Sequence, residues 1–183
     1  MTKSRIFFTN TIRIAIPLTL TLLWLGFIYG NSLKTGIESG AQSGKVYEIV
    51  NSITSLLGFK DPISEHFIRK AAHFTEFAIL GILICTDIWS FGFVSLKKRL
   101  YISSPILFGS VPVCALFAAL DEYLQSFVDG RGPSPKDVLI DTSGALSATI
   151  LFTAFFVISS ILYKKHIVKN TTVNNSVSPQ RNV

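Results

Sequence analysis

The stretch RKAAHFTEFAIL, residues 69–80, decides the class of fold because it begins an apolar segment with several ionisable side chains. In a helix, its first two turns would carry Arg69, Lys70, His73 and Glu76. Each ionised group at bilayer depth costs roughly 2.5–3.5 kcal/mol on insertion scales. A segment of this kind therefore indicates a membrane-spanning helix that contributes to a polar site.

The composition also indicates an integral membrane protein. Of the 183 residues, 49% are hydrophobic and only 15% are charged, with a mean hydropathy of +0.47. Soluble domains usually contain about 25% charged residues. The length predicts one compact helical bundle. Cys85 and Cys114 lie inside apolar segments, so we interpret them as small hydrophobic residues without a disulfide or metal role.

Four apolar segments predict an all-α polytopic bundle with four transmembrane helices. The spans are about 14–29, 71–91, 105–124 and 138–163, within a membrane domain of residues 14–163. Pro17 should kink or start the first helix, and Ser-Pro pairs at 104–105 and 134–135 should start the last two. The third apolar run ends at Leu120, so we expect its helix to continue through the polar residues DEYLQSFV.

Basic residues without acidic neighbours predict the orientation in the membrane. They occupy the leader at 1–13, the loop at 97–99 and the tail at 164–183. By the positive-inside rule all three lie in the cytoplasm, which predicts a multi-pass protein of the bacterial plasma membrane with both termini cytoplasmic. The net charge of +6 is then a topology signal, and no nucleic-acid partner is needed to explain it. From Lys169 onward the tail is typical of a disordered segment.

A long extracytoplasmic connection, residues 30–65, predicts a further helix. Its apolar residues keep helical spacing at Val46, Ile49, Val50, Ile53, Leu56 and Leu57. Such a stripe is typical of an amphipathic helix that lies on the outer leaflet or caps the bundle.

The predicted topology brings distant polar residues to the same, extracytoplasmic face. The candidate site residues are Arg69, Lys70, His73, Glu76, Asp121, Glu122, Gln125, Arg131, Asp137 and Asp141. Glu76 and Asp141 lie one to two turns inside the hydrocarbon boundary, and their short side chains cannot reach far toward water. They are therefore the candidate general acids or bases. Arg69 and Lys70 could instead only reach the interface, and Asp137 could only favour a helix N-terminus.

Too many carboxylates converge for all of them to ionise cheaply. Either some are protonated or a cation joins them. A histidine with several carboxylates could hold a divalent metal, but the spacing matches no known metal motif, and we assign no metal and no cofactor. Small residues at the start of the fourth span, Ser143, Gly144, Ser147 and Ala148, should bring Asp141 against another helix.

The motifs RKAAHFTEFAILG and ALDEYLQSFVDGRGPSPKDVLIDTSGA together closely resemble the VanZ-like family of bacterial membrane proteins. The resemblance covers roughly residues 66–150. It places the family's polar signature on all of these candidate residues except Arg69, and also on Gly144. The namesake of the family is linked to low-level teicoplanin resistance, so the resemblance implies a role in the cell envelope and in glycopeptide resistance.

Three functions remain open from the residues. The first is a protein that binds an anionic or glycosylated amphiphile, such as a lipoglycopeptide or a lipid-linked wall precursor, with Arg69, His73 and Arg131 as contacts. The second is an enzyme that modifies a lipid-linked substrate, with Glu76 or Asp141 as general base. The third is a structural or accessory subunit. The sequence specifies membrane lipids as partners but no oligomeric state.

Overall fold

The computed structural model describes residues 3–58, 61–92 and 105–177, and it is helical throughout. Its helices are α1 (Lys3–Ser32), α2 (Gly36–Leu56), α3 (Glu65–Ser90), α4 (Ser110–Gln125) and α5 (Pro135–Val177). A helical turn at 105–107 precedes α4. No strand occurs in the described ranges, so the all-α prediction is confirmed.

Within the described ranges, four helices are long and apolar enough to cross a membrane. They are Thr11–Ser32, Glu65–Ser90, Pro105–Gln125 and Pro135–His166, which confirms the predicted number of spans. α1, α3 and α5 begin before the predicted spans because their polar first turns belong to the same helices. At α3 the Ser64 hydroxyl accepts a hydrogen bond from Phe67 N–H at 3.3 Å and so caps the helix. Pro17 lies inside α1 and does not start it, and residue 104 lies outside the described ranges.

α3 is the central helix and contacts the four others. Its closest neighbour is α5, because two glycines let the backbones approach. A Cβ on Gly81 would lie 3.0 Å from the carbonyl oxygen of Ala145, and a Cβ on Gly144 would collide with the carbonyl oxygen of Phe74. Small residues commonly allow such contacts between membrane helices.

The predicted small-residue stripe is only partly the contact face. Gly144 and Ala148 are buried, whereas Ser143 and Ser147 are exposed. The two serine hydroxyls instead donate to carbonyl oxygens of their own helix, at 2.6 and 2.8 Å. Ala145, which the sequence analysis did not select, is fully buried and faces α3.

The apolar core lies between α1, α3, α4 and α5. Its buried members are Leu25, Ile28, Phe77, Leu80, Ile84, Cys114, Ala118 and Ala145. A second cluster contains Cys85, Leu107 and Phe156. Both cysteines are buried, and neither forms a disulfide.

α2 presents its apolar stripe away from the bundle. Ile49, Ile53 and Leu56 are 61%, 52% and 87% exposed. The side of α2 that meets the rest of the protein is polar: the Ser43 hydroxyl donates to the Glu65 carboxylate at 2.7 Å. Of the two arrangements expected from the sequence, this orientation favours a helix on the lipid surface over a cap on the bundle.

The C-terminal helix is longer than expected. The sequence predicted a disordered tail from Lys169, but α5 continues to Val177. Adding a residue to an existing helix costs far less than nucleating a new one, so a long apolar helix can extend into a polar segment. Residues 178–183 lie outside the described ranges.

Candidate functional site

The predicted polar residues gather at the end of the bundle where α1 and α4 end and α3 and α5 begin. Three helices supply the innermost group, which we call the buried triad: His73 from α3, Asp121 from α4 and Asp141 from α5. One ligand-capable atom of each residue lies within 4.8 Å of those of the other two. Asp121 and Asp141 are fully buried. The convergence follows from the close approach of α3 and α5 at Gly144, only three residues after Asp141.

Asp121 is held in place by hydrogen bonds on one side of its carboxylate only. Its Oδ2 accepts from the hydroxyl of Ser32 and from Nε2 of Gln125, each at 2.8 Å. Its Oδ1 is buried and has no hydrogen-bond partner. Gln125, one of the predicted site residues, therefore orients Asp121.

Buried atoms of the other two triad residues lack hydrogen-bond partners as well. Among the described residues, none bonds to the buried Nδ1 of His73 or to either carboxylate oxygen of Asp141. A buried carboxylate with neither a donor nor a cation is costly, by several kcal/mol as an ordinary magnitude. The triad is thus arranged for something other than mutual hydrogen bonding within the chain.

A cavity of about 110 Å³ lies beside the triad, between α1, α2, α3 and the loop before α5. We call it the arginine pocket. Its lining residues are Asn31, Ser39, Gln42, Ser43, Val46, Ile68, Arg69, Ala72, His73, Glu76 and Arg131. His73 belongs to both the pocket and the triad, so the two features are continuous.

The two arginines of the pocket are held differently. Arg131 donates from Nε to the carbonyl oxygen of Lys34 at 3.1 Å and from an η nitrogen to that of Asn31 at 3.1 Å. It thereby satisfies free carbonyls at the end of α1. Burial, followed by the nearby charge of Arg69, lowers the pKa of Arg131. Arg69 makes no hydrogen bond or ion pair with any residue in the described ranges.

Glu76 lines the same pocket but is weakly engaged. Its Oε1 accepts from the amide of Asn31 at 3.4 Å, which is longer than an ordinary hydrogen bond. The backbone around it is fixed, because Trp24 Nε1 donates to the carbonyl oxygen of Glu76 at 2.9 Å. The carboxylate therefore has a defined position and spare accepting capacity.

Three other predicted site residues make contacts that stabilise the fold. Lys70 and Asp137 form an ion pair between α3 and α5, with side chains 21% and 22% exposed. Glu122 accepts a 2.6 Å hydrogen bond from the backbone N–H of Ser134, just before α5 begins. These contacts fix the helix ends around the pocket.

Sequence analysis missed several residues that build the site. Ser32 orients Asp121, Asn31 contacts Glu76, and Gln42 lines the arginine pocket. A polar residue at the end of an apolar span is common, so nothing in the sequence marks Ser32 or Asn31 as a site residue. Gln42 lies on the polar side of α2, and only the orientation of that helix relates it to the pocket.

Comparisons with known proteins place the chain within a family. A family model described as VanZ/LLP1 matches residues 18–158, which is more than half of the chain. The match includes the buried triad, the arginine pocket and all four spans in whole or in part. Comparisons with curated proteins and with solved structures found no match.

Proposed function

The chain belongs to the VanZ/LLP1 family, and we propose that it binds the anionic headgroup of an amphiphile in the arginine pocket. The observation that carries the proposal is Arg69, a guanidinium that lines a cavity and has no hydrogen-bond or ion-pair partner among the described residues. A guanidinium offers five N–H donors in a fork that matches a phosphate or carboxylate.

Charge and polarity around the pocket favour an anion. Arg131 lines the same pocket as Arg69, and the charge of Arg69 acts on it. Gln42 and Ser39 add neutral polar groups on the α2 side. The two cations repel each other, and a bound anion would relieve this repulsion.

Apolar surface beside the pocket suits the rest of an amphiphile. Val46 and Ile68 line the cavity, and the exposed stripe of α2 continues from Val46 through Ile49 and Ile53. An acyl or prenyl chain could lie along this stripe while its headgroup enters the pocket. A free inorganic anion would not need such a surface.

The positive charges of the leader, the 97–99 loop and the tail support an extracytoplasmic position for the pocket. In the plasma membrane of a bacterium, that leaflet contains lipid-linked wall precursors and meets lipoglycopeptides from outside. We therefore propose these two classes of amphiphile as ligands. Competition between them for one pocket would give a route to glycopeptide resistance, including resistance to teicoplanin.

An enzymatic function is the second candidate, and Glu76 favours it. Its carboxylate lines the pocket with only one long hydrogen bond, so it could accept a proton from a bound substrate. If the chain is a binding protein, the Glu76→Gln variant should retain both the ligand and the phenotype. If the chain is an enzyme, this variant should retain the ligand and lose the phenotype.

The binding proposal is tested by the full-length chain in nanodiscs that contain a neutral lipid. Native mass spectrometry would measure retention of undecaprenyl phosphate by the native protein, by Arg69→Gln and by the control Lys136→Gln. Lys136 is an exposed cation at the same end of the bundle, outside the pocket. Hydrogen bonds to a charged group contribute about 1.5–3 kcal/mol, so Arg69→Gln should weaken retention by roughly 10- to 100-fold.

Equal retention by the two variants would contradict the proposal, since bulk positive charge would then explain binding. Thermal unfolding of each variant gives the control for folding. Teicoplanin in place of undecaprenyl phosphate tests the second ligand class. If neither ligand distinguishes Arg69→Gln from Lys136→Gln, the arginine pocket is not the binding site.

A further inference from the structure

We propose that the buried triad binds one divalent transition-metal ion, which completes the inner wall of the arginine pocket. The proposal begins from the positions of the donors. His73, Asp121 and Asp141 each offer one ligand atom, and all three atoms lie within 4.8 Å of one another. Two ligands at about 2.1 Å from an ion in tetrahedral geometry are about 3.4 Å apart, so the three side chains would move inward to complete coordination.

The unpartnered atoms independently indicate a cation. Oδ1 of Asp121, both oxygens of Asp141 and Nδ1 of His73 are buried without a hydrogen-bond partner among the described residues. These atoms are electron-pair donors, and no described residue donates a hydrogen bond to any of them. A divalent cation would satisfy them together, and its charge would balance the two carboxylates.

The surroundings of Asp121 resemble an outer shell around a metal ligand. Ser32 and Gln125 donate hydrogen bonds to its Oδ2 at 2.8 Å each, and its Oδ1 has no hydrogen-bond partner among the described residues. Outer-shell bonds of this kind orient ligating carboxylates and tune their affinity. In this arrangement α1, which contributes no triad residue, orients the Asp121 carboxylate through Ser32.

The donor set selects the class of metal. One imidazole nitrogen with two carboxylates suits Zn²⁺, Mn²⁺ or Fe²⁺ better than Mg²⁺ or Ca²⁺, which prefer all-oxygen ligands. Three protein ligands leave at least one coordination position for a further donor. Because His73 also lines the arginine pocket, a donor in the cavity could occupy that position. This last step rests on the proposed function: a bound headgroup would place an oxygen on the ion and its remaining charge on Arg69.

The test measures metal binding in the absence of lipid ligand, so that it is independent of the proposed function. The full-length chain in detergent is stripped with a chelator, dialysed against Zn²⁺ or Mn²⁺, and analysed by inductively coupled plasma mass spectrometry. We expect about one ion per chain for the native protein. Asp141→Asn and His73→Gln should each lower the bound metal at least tenfold.

Asp87→Asn is the matched control. Asp87 is a buried carboxylate that lies outside the triad, at the opposite end of α3 from His73. It accepts a hydrogen bond from the Thr21 hydroxyl at 2.7 Å. This variant should retain the native stoichiometry. Loss of metal from Asp87→Asn as well, or native stoichiometry in Asp141→Asn, would overturn the proposal.

A measurement on the native chain covers variants that fail to fold. Co²⁺ added to the stripped protein should give visible absorption bands typical of nitrogen and oxygen ligands, and saturating metal should raise the melting temperature. Absence of metal binding by the native chain would mean that the triad shares protons instead. Retention of undecaprenyl phosphate by the stripped protein would then still test the arginine pocket separately.

Discussion

Gly144→Ala should destabilise the protein because α5 has no room for a side chain where it crosses α3. The added Cβ would meet the backbone oxygen, carbon and Cα of Phe74, with the latter two at 3.0 and 3.2 Å. Backbone atoms cannot rotate away as a flexible side chain can, so the two helices must separate. Phe74 follows His73 directly, and Asp141 precedes Gly144 by less than one turn. The same separation would therefore open the triad.

The magnitude follows from the kind of contact. Overpacking by a methyl group costs typically about 1–3 kcal/mol, and a collision with a backbone belongs at the upper part of that range. Replacement of glycine by alanine in a helix otherwise stabilises by about 0.5–1 kcal/mol. We therefore expect Gly144→Ala to lower the free energy of unfolding by about 2 kcal/mol.

Gly26→Ala is the matched control. Gly26 lies inside the α1 span, and nothing lies within 4 Å of a Cβ built on it. This variant should keep or slightly raise the stability. Unfolding in mixed micelles, followed by tryptophan fluorescence, measures both variants in one assay. Equal stabilities for Gly144→Ala and Gly26→Ala would refute the close approach of α3 and α5.

Four more outcomes follow from contacts at the same end of the bundle. Lys70→Met should lower the free energy of unfolding by about 1–3 kcal/mol because it leaves Asp137 partly buried without its partner. In a double-mutant cycle, adding Asp137→Leu should recover part of this loss. Additive losses from the two substitutions would contradict the ion pair. Thr35→Ala removes the capping box at the start of α2, which should lower the local stability of the first turn by about 1 kcal/mol. Hydrogen exchange in that turn should therefore accelerate by roughly fivefold, and unchanged exchange would contradict the cap. Hydrogen bonds from Thr35 lower the pKa of Glu38, so ionised Glu38 stabilises the start of α2 at neutral pH. This stabilisation should disappear as the pH falls and Glu38 becomes protonated. Hydrogen-exchange protection of this turn that is independent of pH would contradict the role of Glu38. In bacteria that express the chain, teicoplanin tolerance should persist with Lys136→Gln and disappear with Arg69→Gln at equal protein levels; tolerance in both variants would separate resistance from the arginine pocket.

Much of the fold could be predicted because membrane helices are long apolar runs. Four such runs predicted the number of membrane spans, and the Ser-Pro pair at 134–135 predicted the start of α5. The ends were less predictable, since polar first turns and the segment beyond Lys169 continue helices that began in apolar sequence. Hydropathy does not register that continuity.

The contents of the site could be predicted better than its internal contacts. Ionisable residues in apolar spans indicated His73, Asp121 and Asp141 as members of one group, and the structure places them together. Sequence could not separate them from Glu122, whose carboxylate instead bonds the Ser134 N–H at the start of α5. That division depends on which atoms face each other across helices, and spacing along a chain does not specify it.

The central claim is that α3, α4 and α5 present one shared set of donors to one pocket. Crystals of the full-length chain grown with Mn²⁺ would test it most directly, by an anomalous difference map. The account predicts one strong peak enclosed by His73, Asp121 and Asp141 at the inner wall of the arginine pocket. A map without a peak there, with these three side chains directed to separate surfaces, would contradict it.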